Sequence, residues 1–372
     1  MSMGILHSTL IPVADDRGYI KISDVKVGDM VFDEAGYPSE VTDIKSGKGD
    51  VISVVFSDKT SLLCGLEQTF ASRTRSQHYN HDAYGVRDLG DMSSAGLFAK
   101  SNSNNKTSIV KAWYVPVAQG LIRDDVEFDL DPYLLGFFIG DGTFDDKYFA
   151  VKTKQQDIVK YISELLHADS YNLVKVRDER HKSWHFLKNG DYIIRDRVDK
   201  NGILTKDRII PSEYLCGSID QRFALLQGLM DSEGSVSAND RLCCKYITSH
   251  EHLAESVMIL ATSLGLRVTK SVQNRSSKHG ANYKNEIAVY FAVSDQTKSQ
   301  LFLSNENLDK INKYMRGVKK FNRLYDDLSI CDVMPVSDRD NLISLQVDSV
   351  SNCYQVTDRH LVVYGHVNSP TA

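Results

Sequence analysis

Two oily helices that both end on an acid followed by glycine restrict the possible folds of this chain more than any other feature. The stretch DPYLLGFFIGDG (131–142) starts on Asp131-Pro132, an N-cap with proline at the first helical position, and ends on Asp141-Gly142. Further along, FALLQGLMDSEG (223–234) ends on Glu233-Gly234, and Asp220 is placed to cap it. A carboxylate at a helix C-terminus meets a backbone dipole that is already negative there, which costs free energy unless a cation compensates. Two such placements in one chain point to a shared purpose.

The segments after the two helices are matched as well. A short polar loop leads to a strand-like run, YFAVKTK in the first copy and RLCCKYITS in the second. A helix at apolar spacing comes next, QQDIVKYISELL and EHLAESVMILATSLG. Further strand-like runs close each copy, SWHFL and DYIIRDRV in the first, EIAVYFAVS in the second. Gly136, Gly140, Gly228 and Ser232 put small residues on one side of the two acid-ended helices, so their backbones can approach closely. Packed side by side, the helices bring Asp141 and Glu233 together. The two carboxylates then repel each other and both dipoles. Divalent cations remove that cost, and a paired-metal carboxylate site suits in-line attack on a phosphodiester. The alternative is two unrelated core helices whose ends are acidic by coincidence.

LLGFFIGDG and LLQGLMDSEG resemble the two motifs of a single-chain LAGLIDADG homing endonuclease, over about residues 126–320. The resemblance implies an α+β domain of pseudo-twofold αββαββα repeats whose saddle-shaped sheets lie along the major groove of double-stranded DNA, at a long asymmetric target. It implies that Asp141 and Glu233 bind the catalytic metal, Mg²⁺, and that a single chain acts as a monomer. The family also places a basic residue near the site. In TKDRIIPSEYL that residue is Arg208 or Lys206, and the second-copy equivalent lies near Lys319 or Lys320.

Residues 1–125 have a different texture. YIKISDVKVGDMVF, PSEVTDIKSG and VISVVFSDKTSLLCG are short β-type runs broken by turn residues, and residues 325–372 resume that style with LISLQVDSV, CYQVTD and HLVVYGHVNS. SRTRSQHYNHDAYG and KSNSNNKTS read as polar loops, either insertions or arms of the nuclease. The expected architecture is multidomain, an all-β domain interrupted by the α+β segment at 126–324. Together the flanks resemble the Hint domain of inteins, which implies self-splicing. On that resemblance Asn368 cyclises to cut its own peptide bond, Ser369 is the following nucleophile, the host's exteins are partners, and His360 assists cyclisation. The pattern departs from the family at several positions. Gly4 stands where a first-residue cysteine is usual, Cys64 replaces a threonine, and Glu67 or Gln68 stands where a histidine is expected. Val367 precedes the asparagine where histidine is frequent, with His366 one step away. Cys353, in NCYQV, matches the cysteine that some inteins lacking the first nucleophile use instead; a buried core cysteine is the rival reading.

The net charge of −5 conceals a local asymmetry. Between Arg267 and Lys320, eleven basic residues stand against four acidic ones, a surplus of seven that suits phosphate contact. The six cysteines show no Cys-x-x-Cys spacing, so no disulfide framework or structural zinc site is suggested. No apolar run approaches the length of a membrane span, and MSMGILHSTLIPV lacks the features of a secretory leader, so a cytoplasmic location is expected. Two functions compete. One is a bifunctional intein that splices itself and cuts DNA at intein-free alleles. The other is a DNA-binding or nuclease protein whose Hint domain is degenerate. Retention of both acids favours cutting over silent DNA binding.

Overall fold

The computed structural model describes residues 3–103, 106–144, 149–153, 155–168, 171–177, 182–188, 208–238, 241–273, 285–317 and 327–367. The chain divides into two units, Met1–Ile122 with Leu324–Ala372, and Arg123–Arg323. Among the described residues no helix is long and apolar enough to cross a membrane.

The first unit is β-rich. Its largest sheet has eight strands, in the order Met30–Phe32, Pro38–Phe56, Ser61–Cys64, Ile5–Leu6, Asp327–Val347, Trp113–Pro116, Thr69–Thr74 and Gly85–Asp88. Pro38–Phe56 also pairs antiparallel with Asp327–Val347, so residues from the two ends of the sequence form one ribbon far longer than the usual five or six residues. Register shifts at Ile330/Asp332, Val336/Arg339 and Gln346/Val347 bend that ribbon. Alternate residues such as Val41, Val54, Phe56 and Leu345 turn inward onto a core with Ile5, Phe70 and Tyr354.

Two segments of this unit depart from the loop expectation. SRTRSQHYN contains helix α1 (Arg75–Asn80), started by a reciprocal capping box between Thr74 and Gln77. A second short helix, α2 (Leu89–Ser94), follows on an Asp88 cap. KSNSNNKTS lies in a two-stranded ribbon, Phe98–Ser103 with Lys106–Lys111. Its Ile109 is 77% exposed, so backbone pairing rather than burial holds it, and hydropathy carried no signal.

The second unit is α+β and duplicated. Helices α3 (Pro132–Asp141) and α4 (Gln156–Ala168) accompany a four-stranded sheet in the order Gly142–Phe144, Phe149–Lys152, Lys182–Lys188, Tyr171–Arg177. Helices α5 (Ile219–Glu233) and α6 (Glu251–Ser263) accompany a second sheet in the same relative order, Gly234–Ala238, Leu242–Thr248, Glu286–Phe291, Val268–Gln273. Helices α7 (Asp295–Gln300) and α8 (Asn305–Gly317) complete the unit. The strand expected at DYIIRDRV lies outside the described residues. Asp131 caps α3 as expected, accepting from the Tyr133 and Leu134 N–H groups. The cap of α5 is Ser218 rather than Asp220, because its hydroxyl and the Gln221 side chain satisfy each other's backbone N–H groups and start the helix earlier.

Glycine fixes how closely α3 and α5 pack. A Cβ on Gly136 would lie 2.1 Å from the Leu225 carbonyl oxygen, and one on Gly228 would lie 2.1 Å from that of Tyr133. The contacts are reciprocal, and both obstacles are backbone. Gly228→Ala is therefore expected to destabilise the second unit by about 2–3 kcal/mol, since the helices must separate throughout their shared core. Urea unfolding monitored by circular dichroism checks this, and an unchanged midpoint would refute it.

Candidate active site

The acid-glycine endings have a steric cause. Gly142 and Gly234 leave their helices directly in extended conformation, and a Cβ at either would meet the carbonyl oxygen four residues back, Phe138 at 2.2 Å and Met230 at 2.1 Å. No side chain fits where each helix turns straight into its strand. The residue before each glycine is thereby fixed at the tip of the helix, and these residues are Asp141 and Glu233. The two tips adjoin. A Cβ on Gly140 would lie 1.9 Å from Ser232 Oγ and 3.2 Å from Glu233 Cγ.

The compensating cation is Arg208. Its Nη1 donates to the carbonyl of Ile139 at 2.6 Å and to that of Gly140, and Nη2 donates to that of Gly142 at 3.2 Å. The guanidinium thus caps the carbonyl end of α3, where the dipole is negative. Arg208 holds a positive φ of 46°, a conformation costing about 1 kcal/mol or more in a residue other than glycine. Lys206, Lys319 and Lys320 lie outside the described residues.

A cavity of about 370 Å³ opens beside these groups, with Arg208, Glu233, Tyr246 and His250 on its walls. Glu233 keeps exposed surface, yet the cavity walls desolvate its carboxyl and hold it above the usual range, an effect Arg208 partly offsets. Tyr246 is fully buried, and burial first, then the charges of Glu233 and Asp141, push its phenol far above its ordinary value. Sequence reading did not single out Tyr246. The signal was present in the register, because Tyr246 lies directly across the sheet from Gly234.

Asp231, two residues before Glu233, does different work. It accepts from the N–H groups of Leu303 at 3.0 Å and Ser304 at 3.1 Å and from the Tyr133 hydroxyl at 3.0 Å, and burial pushes its carboxyl up to about 6. Of the two acids in DSE, this one holds structure together. Some of the basic surplus is likewise engaged within the unit. Lys270 pairs with Glu251 and Glu255, Lys298 with Asp295 and the Leu242 carbonyl, and Lys310 with Glu306.

Among the described residues no three His, Cys, Asp or Glu side chains form a metal cluster. Two carboxylates at adjoining helix tips nevertheless suit a hard cation of the Mg²⁺ kind, which takes one or two protein carboxylates and completes its shell with water and phosphate oxygens.

The residues of the splicing expectation lie in the first unit. Gly4 has a φ of +126°, and a Cβ there would come within 2.8–2.9 Å of the Ile343 backbone, so this position accepts no nucleophilic side chain without a backbone shift. Cys353 is buried with Ala71, Ala118 and Val362, and burial pushes its thiol up to about 12, well away from the thiolate form that attacks. Of the two residues considered in place of the missing histidine, Glu67 is exposed and Gln68 is buried, donating to the carbonyls of Thr69 and Tyr364. His360 is buried between Gln355 and Tyr19. The Gln355 amide nitrogen donates to the Asp33 and Gln119 carbonyls, so its oxygen accepts from His360 Nδ1 at 3.0 Å, and His360 Nε2 faces the Tyr19 hydroxyl at 2.9 Å. His366 is also buried, with Nε2 at 3.0 Å from Asp43. Asn368 and Ser369 lie outside the described residues.

Residues 209–318 match the family model described as homing endonuclease. Over 361 residues the chain is 26% identical to a protein named replicative DNA helicase DnaB from Mycobacterium intracellulare, covering 92% of this chain and 55% of that one. The chain thus spans about half the length of the curated relative it matches. Among solved structures, the homing endonuclease I-DmoI in complex with DNA and Ca is similar over 49% of this chain and 96% of its own, at 16% identity and a TM-score of 0.34. The MchDnaB-1 intein is similar over 29% of this chain and 73% of its own, at 20% identity and a TM-score of 0.19. Within the duplicated unit, residues 209–318, which contain the helix ending on Glu233 and its sheet, are thus similar to homing endonucleases.

Proposed function

We propose that the second unit cuts both strands of DNA in a reaction dependent on a divalent cation, Mg²⁺ in the cell, and that the first unit acts on the chain's own C-terminal junction. The observation that supports the nuclease reading is that the helix tips carrying Asp141 and Glu233 adjoin beside Arg208. When bound, the cation supplies charge neutralisation to the phosphate as negative charge develops on it. The residues of this chain do the rest. Asp141 and Glu233 fix the position of positive charge, Arg208 cancels the carbonyl end of α3, and the close glycine packing holds the two tips in register. Binding energy comes from Lys and Arg contacts to phosphates, while the target sequence is read from base edges. The duplicated halves serve as two subunits in one chain, so the active form is a monomer on a long asymmetric site.

For the first unit the proposed chemistry is cyclisation of Asn368, with exteins as the flanking partners. The side-chain amide nitrogen of Asn368 attacks its own backbone carbonyl carbon, the bond to Ser369 breaks, and a succinimide remains. A second reading has a specific observation in its favour. With Gly4 closed to any side chain and Cys353 buried, the unit is a Hint domain that cleaves its C-terminal junction without completing splicing.

The test of the nuclease reading is linearisation of supercoiled plasmids drawn from a library of candidate intein-insertion junctions. Linear product in Mg²⁺ but not in EDTA supports it, and no product from any junction overturns it.

A further inference from the structure

Tyr246 is the buried polar group at this site to which the nuclease reading gives no task. It stands at the middle of the strand Leu242–Thr248, directly opposite Gly234 and so beside Glu233. Its side chain is 0% exposed, it lines the cavity with Arg208 and Glu233, and its hydroxyl finds no hydrogen-bond partner among the described residues. Buried hydroxyls are nearly always paired, and an exception in a cavity marks a place where a partner arrives. A neutral phenol offers one O–H donor, and the partner it lacks is an acceptor.

We propose that the Tyr246 hydroxyl is a catalytic residue of the nuclease, donating its hydrogen bond to a non-bridging oxygen of the phosphodiester that is cut beside Glu233. This rests on the reading of Asp141 and Glu233 as the cutting site. In the reaction, water attacks phosphorus and gives up a proton to solvent, the bond to the leaving sugar oxygen breaks as that oxygen takes a proton from solvent, and the phosphate oxygens gain negative charge that the phenol O–H stabilises without giving up its own proton. The duplication makes the assignment asymmetric. At the matched register of the first sheet, opposite Gly142, stands Val151, which has no donor. One DNA strand is therefore cut with this hydrogen bond and the other without it.

Tyr246→Phe removes the hydroxyl alone and keeps the ring. It is expected to slow cleavage of one strand about 100-fold, the loss typical of one oxyanion donor, and to leave the other strand unaffected. On a supercoiled plasmid selected from the junction library with the unmodified chain, the variant should accumulate nicked circles where the unmodified chain yields linear product. Two readouts apart from cleavage accompany it. Gel-shift affinity for a duplex of the same junction in Ca²⁺ should be unchanged, and the metal-free melting temperature should be unchanged or higher, since an unpaired buried hydroxyl has been removed. Normal cleavage of both strands by the variant overturns this assignment alone. A melting temperature lowered by several degrees, or equal slowing of both strands, also overturns it, because the hydroxyl then serves packing. Failure of the unmodified chain to cut any junction overturns the cutting site itself and this assignment with it.

Discussion

Asp141→Asn and Glu233→Gln are each expected to slow DNA cleavage by about 1000-fold while leaving DNA affinity within about twofold. The separation of the two effects follows from where each free energy arises. Affinity for DNA in general is dominated by cationic contacts to phosphates and falls with salt, and on the proposed reading neither carboxylate adds to it. On the proposed reading each carboxylate instead positions the positive charge that the transition state needs. In the metal-free protein the two acids sit at helix ends of unfavourable polarity, which Arg208 offsets in part. Removing one charge should therefore leave the melting temperature unchanged or raise it. Gel shifts in Ca²⁺ and plasmid cleavage in Mg²⁺, run on the same preparations, separate the outcomes. Undiminished cleavage by both single variants would refute the roles given to the acids. Loss of folding in either would make them structural helix ends.

Complete loss of C-terminal junction cleavage is the expected result of Asn368→Ala, because alanine has no amide nitrogen to cyclise. Nothing else in the sequence VNSPTA offers that reaction at this bond. The histidines nearest in sequence are already engaged, His360 with Gln355 and Tyr19, and His366 with Asp43. Mass spectrometry of the chain fused to short flanking peptides reads the outcome directly. Release of the C-terminal peptide by the Asn368→Ala variant would refute cyclisation. If the unmodified fusion releases nothing, the first unit is inactive.

The sequence made the tips of α3 and α5 legible for a local reason. A helix that turns at once into a strand needs glycine at the turn, so the acid before each glycine marks the same structural point twice. Close packing of the two helices was legible on similar grounds, since only small residues permit backbone contact at Gly136 and Gly228. Arg208 was half legible. Its motif named a basic residue, but a motif does not show that its guanidinium caps the carbonyls of a helix some seventy residues earlier. Tyr246 was hidden because its placement depends on cross-strand register, which pairs residues that no helical or alternating period connects. The same limit hid the ribbon of Phe98–Ser103 with Lys106–Lys111, held by backbone pairing rather than by a buried face among its described residues. At the start of α5, Asp220 was the cap read from the sequence, and the structure places it at Ser218 instead. The partner three residues after Ser218, Gln221, decided between them.

The central claim is that Asp141 and Glu233 together hold divalent cations against DNA. Titration of Mn²⁺ into the complex of the full chain with a duplex of a selected junction, with free Mn²⁺ followed by electron paramagnetic resonance, tests it most directly. The unmodified chain should take up Mn²⁺ that the Asp141→Asn, Glu233→Gln double variant, bound to the same duplex, leaves free in solution. Equal uptake by the two complexes would contradict the claim.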